Sequence, residues 1–507
     1  MGWLALGVCL VLLTGAPSLP STTAQFSFQD VFVQAQRLAE RPYQVPQKQL
    51  PAFVRQLQYD QYRDIRYRPE RSLWREFGLP FQVQLFHPGY LFDRPATINV
   101  IDAAGVHRVP FSPDLFTYGR TGPPSSVPAT LGFAGFRLHY PINGSRADEF
   151  AVFLGASYFR AVAQGELYGL SARGIAVNTA EPGGEEFPAF TEFWLRTPGT
   201  AARNVTVYAL LDGPSLAGAY QFVVTPGAPT RMDVTAAIFL RKPVVRLGIA
   251  PLSSMYFHGP TTLRSFRDFR PEVHDSDGLL LAAGDREWLW RPLSNPETIQ
   301  VSSFPLAGPR GFGLMQRERW FDHYQDLEAR YDIRPSAWVV PDEYWPRGEV
   351  RLIELPSDQE NSDNIVAMWV PAELPAPGTP LRVAYHILWG AGDRTLPPSP
   401  GAHTVATRIG EVRALVGTQG EPVKLFVLDF AGGALDALPP TAFVDAVTTV
   451  EPGATIEEQH VQRNPISRTW RVSFRLQFTG KSPVELRCFL SHNSDVLTET
   501  WSYLARP

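Results

Sequence analysis

Three acidic stretches of the sequence carry the residue types that acid–base chemistry requires. Each places carboxyl side chains next to an apolar or aromatic run: RPEVHDSDGLLL (270–281), WFDHYQD (320–326) and DQENSDNIVAMWV (358–370). A carboxyl at the edge of an apolar strand is partly desolvated, which raises its pKa as a general acid requires. Cleavage of a glycosidic bond, for example, needs one protonated carboxyl and one carboxylate, about 5 Å apart for retention of configuration or ~6.5–9.5 Å apart for inversion. The residue pattern alone leaves three candidate groups open: Asp275 with Asp277, Asp322 with Asp326, and Glu360 with Asp363.

Four other stretches interleave aromatic and charged side chains. They are GASYFRAVAQGELYGLSARGIAV (155–177), GEEFPAFTEFWL (184–195), GDREWLWRPL (284–293) and RYDIRPSAWVVP (330–341). Aromatic rings stack on the apolar faces of sugar rings, and carboxylates and guanidinium groups pair with sugar hydroxyls, so the pattern is typical of a long glucan groove. The core of an aromatic-rich β-sandwich has the same pattern, and both interpretations stay open. The predicted substrate-binding side chains are Tyr158, Arg160, Tyr168, Arg173, Trp288, Trp290 and Arg291.

Other common kinds of functional site are poorly matched. The DSDG run at 275–278 is similar to the opening of a calcium loop, but the EF-hand spacing would need ligands where Leu279 and Arg286 stand. His274 has no second histidine at metal-ligand spacing, so we expect it to form hydrogen bonds and predict no metal and no cofactor. No GxSxG motif or phosphate-binding glycine loop occurs. A net charge of −4 provides no basic excess for phosphates, so nucleic acid is not an expected partner.

The first 24 residues have the composition of a secretory signal peptide. They carry no charged side chain, contain an apolar run from Trp3 to Leu13 and end in small residues, so we expect cleavage after Ala24 and export to the periplasm. The run is short for a transmembrane helix. Cleavage would remove Cys9 and leave Cys488 as the one cysteine, so we predict a fold without disulfides in which Cys488 packs as a small strand residue.

The elements that position these residues are predicted to be mainly β-strands. The 507 residues include 40 glycines, 47 prolines and 12% aromatic side chains, a composition that favours a β-rich protein of two or three domains. One early helix is expected in SFQDVFVQAQRLAE, with Ser27 as the N-cap and Asp30 three residues later. Strand patterns follow at 81–87, 203–211 and 230–240, where β-branched and aromatic residues are bounded by glycine and proline. Stacked sheets are the expected arrangement.

A change of composition near residue 390 predicts a domain boundary. The stretch GAGDRTLPPSPGAHT (390–404) is polar and rich in proline and glycine, as interdomain linkers are. Beyond it, TWRVSFRLQF (469–478) alternates strictly between apolar and polar residues, which predicts a half-buried antiparallel strand. The size and strand spacing of this last part favour an immunoglobulin-like sandwich without the usual cysteine pair.

The longer motifs resemble those of the periplasmic glucan biosynthesis protein G/D family of Gram-negative bacteria. The resemblance rests on LGFAGFRLHYPIN, LGASYFRAVAQGELYGLSARGIAV, GEEFPAFTEFWL, RPEVHDSDGL, EWLWRPL, RPSAWVVP, DNIVAMW and ETWSY, which follow one another from about Phe26 to Tyr503. It implies an all-β fold in which a large N-terminal β-sandwich at 25–390 holds a glucan groove. A linker at 391–403 and an immunoglobulin-like domain at 404–507 would complete the chain.

The resemblance also implies a site and an activity in the synthesis of osmoregulated periplasmic glucans. Asp275 matches the general base and Asp363 the general acid of an inverting endo-β-1,2-glucanase or related transglycosylase. Tyr331, Arg334 and Glu360 match positions near the proton path, and His274 would support Asp275.

The alternative is a non-catalytic scaffold that guides nascent glucan from the inner-membrane synthase to modifying enzymes. The expected partners are therefore a β-1,2-glucan and this synthase. The absence of a twin-arginine signal favours the G branch of the family over the D branch.

Overall fold

The computed structural model describes residues 26–45, 50–122, 128–262, 267–284, 287–391, 396, 401–412 and 423–507. The predicted signal peptide at 1–24, with Cys9, and most of the predicted linker at 391–403 lie outside these residues. Strands dominate the described part, and the prediction of an all-β sandwich fold is confirmed. No described helix is both long enough and apolar enough to cross a membrane.

The first helix, α1 (Phe28–Ala39), begins where the capping pattern predicts. The Asp30 carboxylate accepts hydrogen bonds from the Ser27 amide at 2.7 Å and from its hydroxyl at 3.0 Å. The buried face of α1 packs on one face of the larger β-sheet, against residues such as Trp194 and Phe239. The remaining described helices are single turns: α2 (Ala52–Arg55), α3 (Tyr59–Arg63), α4 (Phe321–Tyr324) and α5 (Gly433–Ala437).

One of the two large sheets has ten strands, and every pairing in it is antiparallel. Its spatial order is β2 (Gln82–Phe86), β6 (Gly135–Tyr140), β7 (Asp148–Leu154), β8 (Tyr158–Ala161), β9 (Ser171–Arg173), β15 (Leu247–Ser254), β24 (Ile365–Pro371), β23 (Arg347–Glu354) and β20 (Gln300–Ala307), with β10 (Ile175–Val177) paired to β15. The candidate acid Asp363 lies two residues before β24 in the chain.

The second large sheet has fifteen strands and runs through both halves of the chain. Its spatial order is β28 (Asp445–Val450), β31 (Val484–His492), β33 (Thr500–Ala505), β19 (Glu287–Pro292), β18 (Gly278–Ala283), β21 (Gly311–Met315), β22 (Ser336–Pro341), β25 (Pro380–Gly390), β14 (Thr230–Leu240), β13 (Leu216–Thr225), β12 (Val205–Asp212), β11 (Ala189–Arg196), β3 (Thr97–Asp102) and β4 (Gly105–Arg108), with β32 (Asp495–Val496) paired to β31. The β11–β3 and β19–β33 pairs are parallel, and the others are antiparallel.

Three smaller sheets complete the described fold. A four-stranded sheet has the order β26 (His403–Val412), β27 (Val423–Ala431), β30 (Trp470–Phe478) and β29 (Ala454–Arg463). Each of the other two sheets is one antiparallel pair of strands: β1 (Arg66–Tyr67) with β5 (Phe116–Thr117), and β16 (Tyr256–His258) with β17 (Val273–His274).

The main hydrophobic core lies between the ten-stranded and fifteen-stranded sheets and is rich in aromatic rings. Phe153, for example, packs on Phe136 at 4.9 Å and on Phe222 at 5.1 Å between ring centroids. Phe190 and Phe193, from the aromatic stretch at 184–195, belong to the same cluster. For these two side chains the core interpretation of the aromatic pattern is therefore correct.

The C-terminal part of the chain, residues 401–507, shares a hydrophobic core with the part before it. Phe426, Phe474 and Trp501 belong to this core, and so do Leu280 and Trp290 from the fifteen-stranded sheet. The parallel pairing of β19 with β33 joins the two parts by backbone hydrogen bonds as well. The predicted domains are thus continuous in both sheet and core.

Two finer predictions for the C-terminal part, residues 401–507, are confirmed. Burial alternates along β30 with a period of two, as the sequence pattern indicates. Cys488 is a fully buried strand residue whose thiol contacts the Thr448 hydroxyl, and burial raises the pKa of this thiol to about 12. Such a thiol packs as an apolar group and is a poor nucleophile.

Gly278 provides a test of this packing. It opens β18, and a Cβ at this position would overlap the indole ring of Trp290. That ring cannot move easily because the Arg317 guanidinium lies 3.7 Å above its centre. We expect Gly278→Ala to lower the free energy of unfolding by about 1–3 kcal/mol.

The matched control is Gly410→Ala in β26, where nothing lies within 4 Å of the added carbon. This variant should be neutral or slightly stabilising, since alanine restricts the unfolded chain. Urea and thermal unfolding of both variants measure the difference. Equal stability of the two would contradict the packing described here.

Candidate functional site

Asp275 lies in the short connection between β17 and β18, and the backbone of neighbouring segments holds this connection in place. Its amide donates to the Met255 carbonyl at 2.8 Å. Two residues later, Asp277 Oδ2 accepts from the amides of Arg317 at 3.0 Å and Glu318 at 2.9 Å. The two aspartates of this stretch therefore have different contacts. Asp277 binds the backbone at 317–318, and the Asp275 carboxyl takes no part in these two hydrogen bonds.

The Asp275 carboxyl is buried and forms an ion pair with Arg334. Arg334 is itself fixed, because its Nε donates to the Ala329 carbonyl at 3.0 Å and its guanidinium lies 4.2 Å above the Tyr331 ring. Burial raises the pKa of Asp275, while the charge and hydrogen bond of Arg334 act in the opposite direction. The arginine therefore favours the carboxylate in a site that otherwise favours the neutral acid.

Asp363 is the second carboxyl of the same cleft. Its side chain is solvent-exposed, yet enough protein surrounds it that desolvation is the largest influence raising its pKa. A side chain with both properties lies on a concave surface. The charge of Asp275 raises the pKa of Asp363 further, while Arg173 and Arg160 lower it. Within the described part of the chain, no group donates a hydrogen bond to the Asp363 carboxyl.

Arginine and tyrosine side chains from β8 and β9 form one wall of the cleft. Arg160 acts on the charges of both Asp275 and Asp363, and it lies 5.0 Å above the Tyr168 ring. Arg173 is nearly fully buried, lies 5.0 Å above the Tyr158 ring and donates to Ser253 Oγ at 2.8 Å.

A cavity of about 310 Å³ continues from this wall. It is lined by Tyr158, Arg160, Ser171 and the apolar side chains of Leu91 and Phe92, among others. The four substrate-binding residues predicted from the stretch at 155–177 thus lie together beside the two carboxyls.

A network of charged side chains borders the other side of the site. The Tyr331 hydroxyl donates to Glu360 Oε2 at 3.4 Å, and the same carboxylate pairs with Arg270 at 2.7 Å. Arg270 also binds Asp268 and Asp326, at 2.7 Å and 2.9 Å.

The second acidic stretch, 320–326, has a structural place in this network. Burial opposes ionisation of Asp326, but hydrogen bonds from the Ala329 amide and from Arg270 hold its pKa below the usual value. Asp322 is exposed, where its carboxylate meets only the Gln325 side chain among described residues. Neither is placed like a general acid.

The structure places three of the predicted substrate-binding residues outside this cleft. Trp288 stacks on Trp338 with centroids 5.7 Å apart. Trp290 is buried in the core that includes residues of the C-terminal part, 401–507. Arg291 is buried and pairs with Glu485 at 2.6 Å. Since these contacts already occupy the three side chains, we leave them out of the proposed site.

Two residues around the site, Gln316 and Ser253, had no signal in the sequence, whereas a third, Glu185, lies in the aromatic and charged stretch at 184–195. Gln316 contacts His274, which is fully buried beside Asp275, across 42 positions of the chain. Glu185 binds the Arg173 guanidinium, and Ser253 comes from the distant strand β15. Local patterns report the element on which a residue lies, so such long-range partners cannot be read from them.

One described cluster has metal-ligating residue types, formed by Asp233, Asp342 and His386. The Arg231 guanidinium lies 2.6 Å from Asp233, and His386 Nδ1 lies 2.6 Å from Asp342. These contacts pair both carboxylates with nitrogen groups of the chain, so we interpret the cluster as a hydrogen-bonding network of β14, β25 and the end of β22.

Comparison with known proteins agrees with the motifs. The family model described as "Periplasmic glucan biosynthesis protein, MdoG" matches residues 26–505. The chain is 45% identical over 510 residues to a "Glucans biosynthesis protein G" of Ralstonia nicotianae (strain ATCC BAA-1114 / GMI1000), across 98% of this chain and 99% of that relative. The resemblance found in the sequence is confirmed, and the chain belongs to the periplasmic glucan biosynthesis protein family.

Proposed function

We propose that the protein acts in the periplasm on the β-1,2-glucan backbone of osmoregulated glucans, as an inverting endo-β-1,2-glucanase or related transglycosylase. The family description supports the place and the glucan. The observation that carries the catalytic proposal is the coupling of Asp275 and Asp363 in one concave site, where only Asp275 has an arginine partner. The β-1,2 linkage, the glucanase or transglycosylase activity and inversion rest on the family resemblance.

The two carboxyls differ in the way that acid–base catalysis requires. Asp275 is paired with Arg334, which favours the carboxylate needed to accept a proton from the attacking water or hydroxyl. Asp363 has a raised pKa from desolvation and from the charge of Asp275, which favours the protonated form needed to assist the leaving oxygen. An acid and a base of one enzyme are commonly two carboxyls whose surroundings favour different protonation states.

Tyr331 and Glu360 provide proton-bearing groups close to this pair. The Tyr331 ring lies against Arg334, the partner of Asp275, and its hydroxyl faces Glu360. We propose that the proton moves between Asp275 or Asp363 and the reacting oxygens through Tyr331 and a water or sugar hydroxyl. Tyr158, Arg160, Tyr168 and Arg173 would hold the neighbouring glucose units by stacking and hydrogen bonding.

Asparagine substitutions of the two carboxyls test the catalytic roles. We expect Asp275→Asn and Asp363→Asn each to lower the rate of β-1,2-glucan cleavage by roughly 10³-fold or more, because asparagine neither accepts nor donates the proton. Asp322→Asn is the control, since this exposed aspartate lies outside the proposed machinery. New reducing ends measure cleavage, and product masses separate linear from cyclic glucans.

Two outcomes separate this proposal from its alternative. Binding of linear β-1,2-glucan without any cleavage by the wild type would support a non-catalytic scaffold that hands glucan on from the inner-membrane synthase. Cleavage that survives both asparagine substitutions would remove the roles given to Asp275 and Asp363.

Asp363→Asn, which should lower the cleavage rate, should not lower the thermal stability. A carboxyl whose pKa is raised in the folded protein binds its proton more tightly there than in the unfolded chain. Its contribution to stability is therefore lost as the pH rises from the usual carboxyl pKa through the folded value. We expect Asp363→Asn, which removes the charge near Asp275, to leave the Tm at neutral pH unchanged or higher. A large fall in Tm would mean that Asp363 has a structural role.

The Arg334 ion pair predicts a shift in the pH–rate profile. Because the guanidinium opposes the rise in the pKa of Asp275, Arg334→Gln should move the acidic limb of kcat/KM to higher pH. Arg330→Gln is a matched control in the same segment, since Arg330 pairs with Asp332 at 2.8 Å. Identical acidic limbs in the two variants would contradict the role of Arg334.

A further inference from the structure

The residue next to the candidate base has an unusual environment. His274 is fully buried, and both of its ring nitrogens face oxygen atoms. Nδ1 lies 2.9 Å from Gln316 Oε1, and Nε2 lies 2.9 Å from Glu272 Oε2. A neutral imidazole has one N–H and one bare nitrogen, so these partners decide which nitrogens carry hydrogen.

The orientation of the Gln316 amide is fixed by three neighbours. Its Nε2 lies 3.0 Å from the His274 carbonyl, 2.9 Å from the Tyr324 hydroxyl and 3.2 Å from the Tyr331 carbonyl. Carbonyl oxygens only accept, and the Tyr324 hydroxyl donates to the Glu318 carbonyl at 3.2 Å. The amide therefore cannot be flipped, and its oxygen faces Nδ1 of His274, which must carry hydrogen.

The second nitrogen faces a carboxylate. With Nδ1–H fixed by Gln316, Nε2 would be the bare nitrogen of a neutral ring, and a bare nitrogen facing a carboxylate oxygen is repulsive. A proton on Nε2 turns this contact into a charge-assisted hydrogen bond to Glu272. The geometry thus favours an imidazolium bound on both sides.

The groups packed around the ring also favour a cation. Tyr256 stacks on the imidazole with centroids 5.2 Å apart, and Tyr324 meets it edge-on at the same distance. Burial lowers the pKa of His274, but the hydrogen bond and charge of Glu272, followed by the charge of Asp277, raise it above the usual value.

The remaining charged groups nearby are more distant partners of the same network. His323 Nδ1 lies 3.8 Å from Glu272 and 2.8 Å from Glu318. Glu272, His274, Asp277 and Arg317 line a cavity of about 210 Å³, whose other lining residues include 404–408 of β26. Arg317 is neutralised by Glu499 at 2.7 Å, so it adds little repulsion to a charged His274.

We propose that His274 is a positioning residue that stays protonated at neutral pH, and that its buried imidazolium, held by Glu272 and Gln316, keeps the adjacent Asp275 ionised. The His274 ring is fully buried, so it acts through the adjacent Asp275 and does not touch the substrate. Its positive charge is among those that lower the pKa of Asp275. This inference rests on the proposed role of Asp275 as the base.

The charge state of His274 can be measured without any activity. In ¹⁵N-histidine spectra of the purified protein, with the His274 signals assigned from a His274→Gln variant, we expect both ring nitrogens to carry hydrogen at pH 7. Glu272→Gln should lower the pH at which His274 loses a ring proton. Glu318→Gln, which removes the partner of His323 instead, is the matched control and should leave His274 unchanged. A bare ring nitrogen on wild-type His274 at pH 7 overturns the proposal.

The effect on Asp275 is a second, separate measurement. Carboxyl ¹³C spectra assigned with Asp275→Asn should show the titration of Asp275 moving to higher pH in Glu272→Gln, and the acidic limb of kcat/KM should move with it. An unchanged Asp275 titration would overturn the positioning role even if His274 is charged. If both spectra agree but the wild type cleaves no glucan, the proposed function fails and the charge arrangement stands.

Discussion

The ion pair between Asp275 and Arg334 is the interaction on which the candidate site depends. It joins the turn after β17 to the segment 329–334, and each partner has a second anchor, at the Met255 and Ala329 carbonyls. It also decides how charge is shared, because two coupled carboxyls in one cleft do not ionise with equal ease. The guanidinium favours the anion at Asp275, and the charge of Asp275 in turn raises the pKa of Asp363.

The cleft concentrates electrostatic interactions that do not favour folding. Burial raises the pKa of both carboxyls, and their charges oppose each other. Strongly perturbed groups of this kind are common at functional sites, where the rest of the fold compensates for them. Here the compensation comes from the aromatic core between the two large sheets, where rings such as Phe136, Phe153 and Phe222 pack closely beneath the site.

The C-terminal part, residues 401–507, also contacts the segment that holds the turn between β17 and β18. Arg317 lies on the Trp290 ring, pairs with the fully buried Glu499, and donates its backbone amide to Asp277, two residues from the candidate base. Arg317 therefore connects the packing of the C-terminal part to the position of the turn at Asp277. Trp290 was predicted to bind sugar but is a core residue in contact with Arg317. A sequence that alternates aromatic and charged residues is compatible with both a binding groove and a core.

Local patterns in the sequence by themselves determined the elements and the fold class. The Ser27–Asp30 cap, the long strand at 230–240 and the alternation of β30 could be predicted because each depends on residues close together in the chain. The acidic stretches could also be identified from the residue pattern. That pattern suggested only pairs of carboxyls within one stretch, and the combination of Asp275 with Asp363 came from the family motifs. Only the tertiary structure decided that the charge of Asp275 acts on Asp363 and that Gln316 faces His274. Such contacts depend on which strands pair, and strand pairing is set by packing over the whole chain.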